Sequence, residues 1–145
     1  MKHRPGQLVG APLLRIFLVD DYKPVRQVLR RMLESRPSWE VCGEAENGKE
    51  ALEKFSTVIP DITVMDFQMP EMNGLEVARK IIGAYPGASI LILSLHMSPQ
   101  LMTEAAKIGV KGACPKSEMW CLADPVEAVL QGETYFRMHR AAGAS

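Results

Sequence analysis

The feature that most constrains this chain is an alternation of short apolar runs with stretches whose apolar residues recur at helical spacing. Residues 62–67 (Ile-Thr-Val-Met-Asp-Phe) and 89–95 (Ser-Ile-Leu-Ile-Leu-Ser-Leu) are dominated by apolar side chains, with no polar face between their ends. Strands that read this way are covered on both sides, as the middle strands of a parallel sheet are. Residues 14–19 read the same way, and behind them Val25, Val28, Leu29, Met32 and Leu33 fall on one helical face. Residues 39–45 mix polar and apolar positions around Gly43, which predicts an edge strand.

Capping chemistry marks where the helices begin. Asn47 can cap a helix carrying Ala51, Leu52 and Phe55, with Glu50 at its third position. Asn73 can cap another through Leu75, Ala78, Ile81 and Ile82, which Gly83, Pro86 and Gly87 would close. Ser98 before Pro99 and Asp124 before Pro125 each set a capping side chain ahead of a proline at the first helical position. Residues 109–115, with two glycines, predict a brief last strand. Five strands alternating with five helices demand parallel pairing and right-handed crossovers, hence an α/β fold with an open, doubly wound five-stranded sheet. Residues 13–136 form that domain, residues 1–12 read as a flexible leader, and residues 137–145 read as a tail or the start of a linker.

Composition narrows the function. At 145 residues the chain suits one domain. Lysine plus arginine and aspartate plus glutamate both number 17, so no overall field draws it to nucleic acid or an acidic membrane. No apolar run approaches the ~20 residues that cross a bilayer. Three cysteines without metal-ligand spacing, and no secretory signal, point to reduced thiols in a cytoplasm.

The chemistry lies where the apolar runs stop. Asp20 and Asp21 end the first, Asp66 sits near the end of the third, Ser94 near the end of the fourth, and Lys116 just after the fifth. In an open α/β sheet these positions converge on the edge where such folds bind ligands. Clustered carboxylates repel one another unless a cation joins them, and an all-oxygen set suits Mg²⁺. A metal held by Asp21 and Asp66 would neutralise an incoming phosphoryl group and leave one Asp66 oxygen free to attack phosphorus. Lys116 could pair with a phosphoryl oxygen, and Ser94 could bond the group once it is present. Taken singly, each residue is more ordinarily a helix cap or a solvated charge. Their joint placement after four different strands favours a site.

The sequence resembles the receiver domains of two-component response regulators. The resemblance rests on Phe17-Leu18-Val19-Asp20-Asp21, on Val64-Met65-Asp66-Phe67-Gln68-Met69-Pro70-Glu71-Met72-Asn73-Gly74, and on the interval from Ser94 to Lys116. It implies a flavodoxin-like strand order 2-1-3-4-5. By the same resemblance Asp66 is the phosphoacceptor, Asp20, Asp21 and Asp66 bind Mg²⁺ with the main-chain carbonyl of Gln68, Ser94 is the switch hydroxyl, and Lys116 contacts phosphate. A sensor histidine kinase would be the donor, and a homodimer through helix 4, strand 5 and helix 5 is a further implication. Gly43-Glu44-Ala45-Glu46-Asn47-Gly48 and Gln131-Gly132-Glu133-Thr134-Tyr135 look like the NarL/FixJ subfamily, whose receivers precede a LuxR-type DNA-binding domain. The expectation is therefore a phosphoacceptor and not an enzyme, forming the regulatory part of a transcriptional regulator or standing alone.

Two departures temper that expectation. Ala113 stands where receivers commonly carry a Tyr or Phe that rotates on activation, so the usual aromatic readout is expected to be missing. Pro115 precedes Lys116 and Ser117 follows it, so no cis bond is expected after the lysine. A phosphorylation-independent interaction module and an aspartyl-phosphate phosphatase are the competing classes.

Overall fold

The computed structural model describes residues 12–138. The predicted leader (residues 1–12) and tail (residues 137–145) therefore fall outside the described residues, except at positions 12, 137 and 138. The element order is β1 (Leu14–Val19), α1 (Lys23–Glu34), β2 (Trp39–Ala45), α2 (Gly48–Val58), β3 (Ile62–Asp66) and α3 (Gly74–Ala84). It continues with β4 (Ile90–Ser94), α4 (Pro99–Ile108), β5 (Gly112–Pro115), a 3-10 helix (Lys116–Cys121), α5 (Ala123–Leu130) and β6 (Tyr135–Phe136).

Every strand pair is parallel, and the sheet order is β2-β1-β3-β4-β5-β6. The apolar runs are buried as their composition demands, with β3 and β4 covered along their whole lengths. On one face, Phe17, Val19, Met65, Ile90, Ile92 and Ala113 pack under α2, α3 and α4. On the other, Ile16, Leu18, Val64, Leu91 and Leu93 pack under α1 and α5. Alternate residues of one strand thus feed opposite layers, which is why these strands show no polar face.

Three predicted caps form. Asn47 Oδ1 accepts from the Glu50 amide at 2.8 Å. Asn73 and Glu76 make a reciprocal capping box, and Ser98 Oγ accepts from the Leu101 amide at 3.0 Å with Pro99 opening α4. The fourth does not. Asp124 lies inside the first turn of α5, because the 3-10 helix delivers the chain to Leu122 already in helical conformation and no extended cap residue intervenes. Gly83 likewise lies within α3, which ends at Ala84 with Tyr85 as its C-cap.

Among the described residues the sheet has six strands where the sequence predicted five. After α5, the Tyr135 amide donates to the Lys111 carbonyl and the Arg137 amide to the Ala113 carbonyl, both at 2.9 Å, adding β6 to the open edge of β5. Two residues show no periodicity of their own, so nothing local announces them. Phe136 pairs in register with Ala113 and packs against the same apolar layer, so an aromatic ring from β6 stands beside the small residue at 113. Gly112 permits the approach: a Cβ there would sit 2.6 Å from the Tyr135 carbonyl oxygen. Gly112→Ala is therefore expected to detach β6. Hydrogen exchange should show the Tyr135 and Arg137 amides losing protection while the β4 amides keep theirs.

Candidate functional site

Parallel register brings the carboxyl ends of β1, β3, β4 and β5 to one edge of the sheet, with Asp20, Asp66 and Lys116 at or just beyond the ends of β1, β3 and β5. Asp20 and Asp66 are 1% and 3% exposed, whereas Asp21 opens to solvent. Lys116 Nζ lies 2.7 Å from Asp20 Oδ2 and 3.1 Å from Asp66 Oδ2. The Asp20 contact falls outside hydrogen-bonding angles, so it acts as a charge pair. Asp66 Oδ1 is buried with no hydrogen-bond partner among the described residues.

Asp20, Asp21 and Asp66 each offer a carboxylate oxygen within 4.8 Å of the others. Hard oxygen donors at that spacing, with a buried oxygen lacking a hydrogen-bond partner on both Asp20 and Asp66, fit a divalent cation such as Mg²⁺. The electrostatics agree. Burial, helped by the Asp20 charge and opposed by Lys116, pushes the Asp66 carboxyl up to about 6. Burial alone would lower the Lys116 ammonium, but Asp20 and Asp66 outweigh it and raise the lysine above its ordinary value.

Ser94, fully buried at the end of β4, is already engaged. Its hydroxyl donates to the His96 carbonyl at 3.1 Å and accepts from Gln68 Nε2 at 3.0 Å and the His96 amide at 3.2 Å. Gln68 Oε1 accepts from the Leu95 amide at 3.3 Å. The Gln68 side chain thus ties the loop after β3 to the loop after β4, a contact the sequence did not disclose. Gly74 holds the loop from its other side, its amide donating to the Phe67 carbonyl at 2.8 Å.

All six positions named from sequence lie at one end of the sheet, with Asp20, Asp21, Asp66 and Lys116 in one cluster and Gln68 and Ser94 paired beside it. Sequence reasoning missed Arg26 and Glu44. Arg26 is 9% exposed, and its Nη1 donates to the Asp20 carbonyl at 2.5 Å. Its signal was present: with Leu29 and Leu33 it occupies the buried face of α1, where arginine is not expected without a partner.

The profile of the response regulator receiver domain matches residues 16–119. The chain belongs to the response regulator receiver family. Among the receiver's relatives, the transcriptional regulatory protein DegU of Brevibacillus brevis is 33% identical over 131 residues, 90% of this chain and 56% of that protein. The chemotaxis protein CheY of Thermotoga maritima is 39% identical over 97 residues, 67% of this chain and 80% of that protein. The crystal structure of a LuxR-family two-component response regulator from an Aurantimonas species superposes with a TM-score of 0.81 at 35% identity, covering 85% of this chain and 89% of that one. This receiver thus spans little more than half the length of DegU. No helix among the described residues is long and apolar enough to cross a membrane.

Proposed function

We propose that this receiver takes a phosphoryl group from a sensor histidine kinase onto Asp66 and changes its interaction surface in response. The observation that carries this reading is the buried, unpartnered Asp66 Oδ1 beside Lys116 and two further carboxylates. An Asp66 oxygen forms a bond to phosphorus while the bond from phosphorus to the donor imidazole nitrogen breaks. The bonding pair returns to the nitrogen, which takes up a proton. Asp20, Asp21, Asp66 and the Gln68 main-chain carbonyl are the proposed Mg²⁺ ligands. When bound, the ion supplies positive charge where the transferring group concentrates negative charge.

Lys116 is placed to release Asp66 and pair with a phosphoryl oxygen instead. Ser94 would exchange its bond to His96 for one to the phosphoryl group, drawing the loop after β4 inward. That movement reaches α4 and, through the Ser94–Pro115 register, β5. The surface of α4, β5 and α5 is the proposed homodimer face, and β6 now belongs to its edge. The DegU and LuxR-family relatives support a place in a cytoplasmic transcriptional regulator whose DNA contacts come from another domain. The receiver itself is a phosphoacceptor without a separate substrate.

The test is incubation with acetyl phosphate, with and without Mg²⁺, read by intact mass. One phosphoryl group is expected to add with the metal, and labelling should fall to background with a chelator. A protein that stays unlabelled in Mg²⁺ would overturn the reading.

A further inference from the structure

Resting on that reading of the acidic cluster, we infer that Arg26 is a positioning residue for the metal site, setting Asp20 through its main chain. Asp20 is held at three points besides its pair with Lys116. Its amide donates to the Ala45 carbonyl at 3.1 Å, its Oδ1 accepts from the Tyr22 amide at 2.9 Å, and its carbonyl accepts from Arg26 Nη1. The first is a main-chain contact made as β1 runs beside β2, and the second ties the Asp20 side chain to the amide two residues on, where the chain turns into α1. The third reaches in from a side chain six residues on.

A buried guanidinium needs an anion and filled donors, or its desolvation is uncompensated. Here Arg26 Nε donates to Glu44 Oε1 at 2.9 Å, and the other Glu44 oxygen accepts from Arg30 Nε and Nη2 at 3.0 and 2.6 Å. Arg30 and Arg26 together hold the Glu44 carboxyl below its ordinary range, against the burial that alone would raise it. Arg30 also lies 3.6 Å from Glu34, and Glu34 Oε2 accepts from the Val41 amide at 2.9 Å. The planar fork of Arg26 is thus fixed from α1 and β2 together, with Nη1 turned to the Asp20 carbonyl. A planar guanidinium can hold carboxylate and carbonyl at once, which a lysine ammonium does less rigidly.

Two effects of Arg26 on a bound cation have opposite signs. Through space, its positive charge repels a divalent ion, so removing it should tighten metal binding. Through Asp20, it orients a ligand, so removing it should weaken metal binding, by about tenfold where an outer partner of a ligand is lost. The close contact to Asp20, in a group whose charge is already offset by Glu44, makes positioning the larger effect.

The test is Mn²⁺ binding to the full 145-residue chain, read from the free-ion electron paramagnetic resonance signal, for wild type, Arg26→Met, Arg26→Lys, Asp20→Asn and the Arg26→Met/Asp20→Asn double variant. Arg26→Met is expected to weaken binding about tenfold, and Arg26→Lys to weaken it by less. In the Asp20→Asn background, Arg26→Met should add little, because the ligand it orients is already impaired; two losses that simply multiply would mark a general effect on folding and overturn the inference. Unchanged or tighter binding in either single Arg26 variant would also overturn it. Wild-type protein that binds no Mn²⁺ would instead bring down the reading of the cluster itself, and this inference with it.

Discussion

Gly74→Ala is expected to destabilise the receiver by about 3 kcal/mol or more and to abolish labelling of Asp66 together with stability. A Cβ at position 74 would lie 2.5 Å from the Asp66 carbonyl oxygen and 3.0 Å from the Phe67 Cα. Both are main-chain atoms at the end of β3, so relief requires moving the acceptor strand or withdrawing the start of α3. Gly83→Ala supplies the control within the same helix, because a Cβ there meets nothing within 4 Å. That variant should gain roughly 0.5–1 kcal/mol from helix propensity. Urea denaturation of the pair decides the matter, and a Gly74→Ala midpoint close to wild type would contradict the close packing of α3 on the acceptor loop.

Asp66→Asn is expected to stabilise the metal-free protein at pH 7 while removing its chemistry. Asp66 titrates at about 6 in the fold against an ordinary 3.8. The folded state therefore binds the proton more tightly than the unfolded chain does, and it is the charged form that the fold penalises. Stability from this group is present below about 3.8 and is lost as the pH rises through about 6. A shift of that size corresponds to at most about 3 kcal/mol, and screening through the solvent-open mouth at Asp21 reduces it to roughly 1–2 kcal/mol. Lys116 keeps Asp20 at 2.7 Å, so the substitution does not strand the lysine. Denaturation across pH should show the Asn variant ahead at pH 7 and its lead closing towards pH 4. Mg²⁺ should narrow the gap at pH 7 by stabilising only the wild type to a useful extent. A lead that widens on acidification would show that the sign is wrong.

The sheet was legible because its central strands carry the pattern that double coverage imposes. The runs around Val64 and Ile92 had no polar face to hide, and Asn47, Asn73 and Ser98 announced their helices through local chemistry that needs no tertiary context. What escaped depended on distant partners. Residues 135 and 136 are strand only because β5 offers an edge and Gly112 lets a backbone approach, both settled more than twenty residues earlier in the chain. Asp124 looked like a cap because Pro125 follows it, yet the preceding 3-10 helix had already set the helical path. The acidic positions, Ser94 and Lys116 could be placed at one end from strand ends alone. Arg26, Glu44 and the Gln68 side chain could not, since their roles follow from contacts across 6 to 26 residues of separation. Ala113 was read as a missing ring, and the fold places Phe136 beside it from a strand the sequence did not reveal.

The most direct test of the central claim is to locate the phosphoryl group. Protein labelled with acetyl phosphate in Mg²⁺ is reduced with borohydride, which converts an acyl phosphate to an alcohol and marks the carboxyl that carried it, and the peptides are then sequenced by mass spectrometry. The mark is expected at Asp66 and is expected to vanish in Asp66→Asn. A mark on Asp20, Asp21 or any other residue, or labelling that persists in Asp66→Asn, would contradict the assignment of Asp66 as the acceptor.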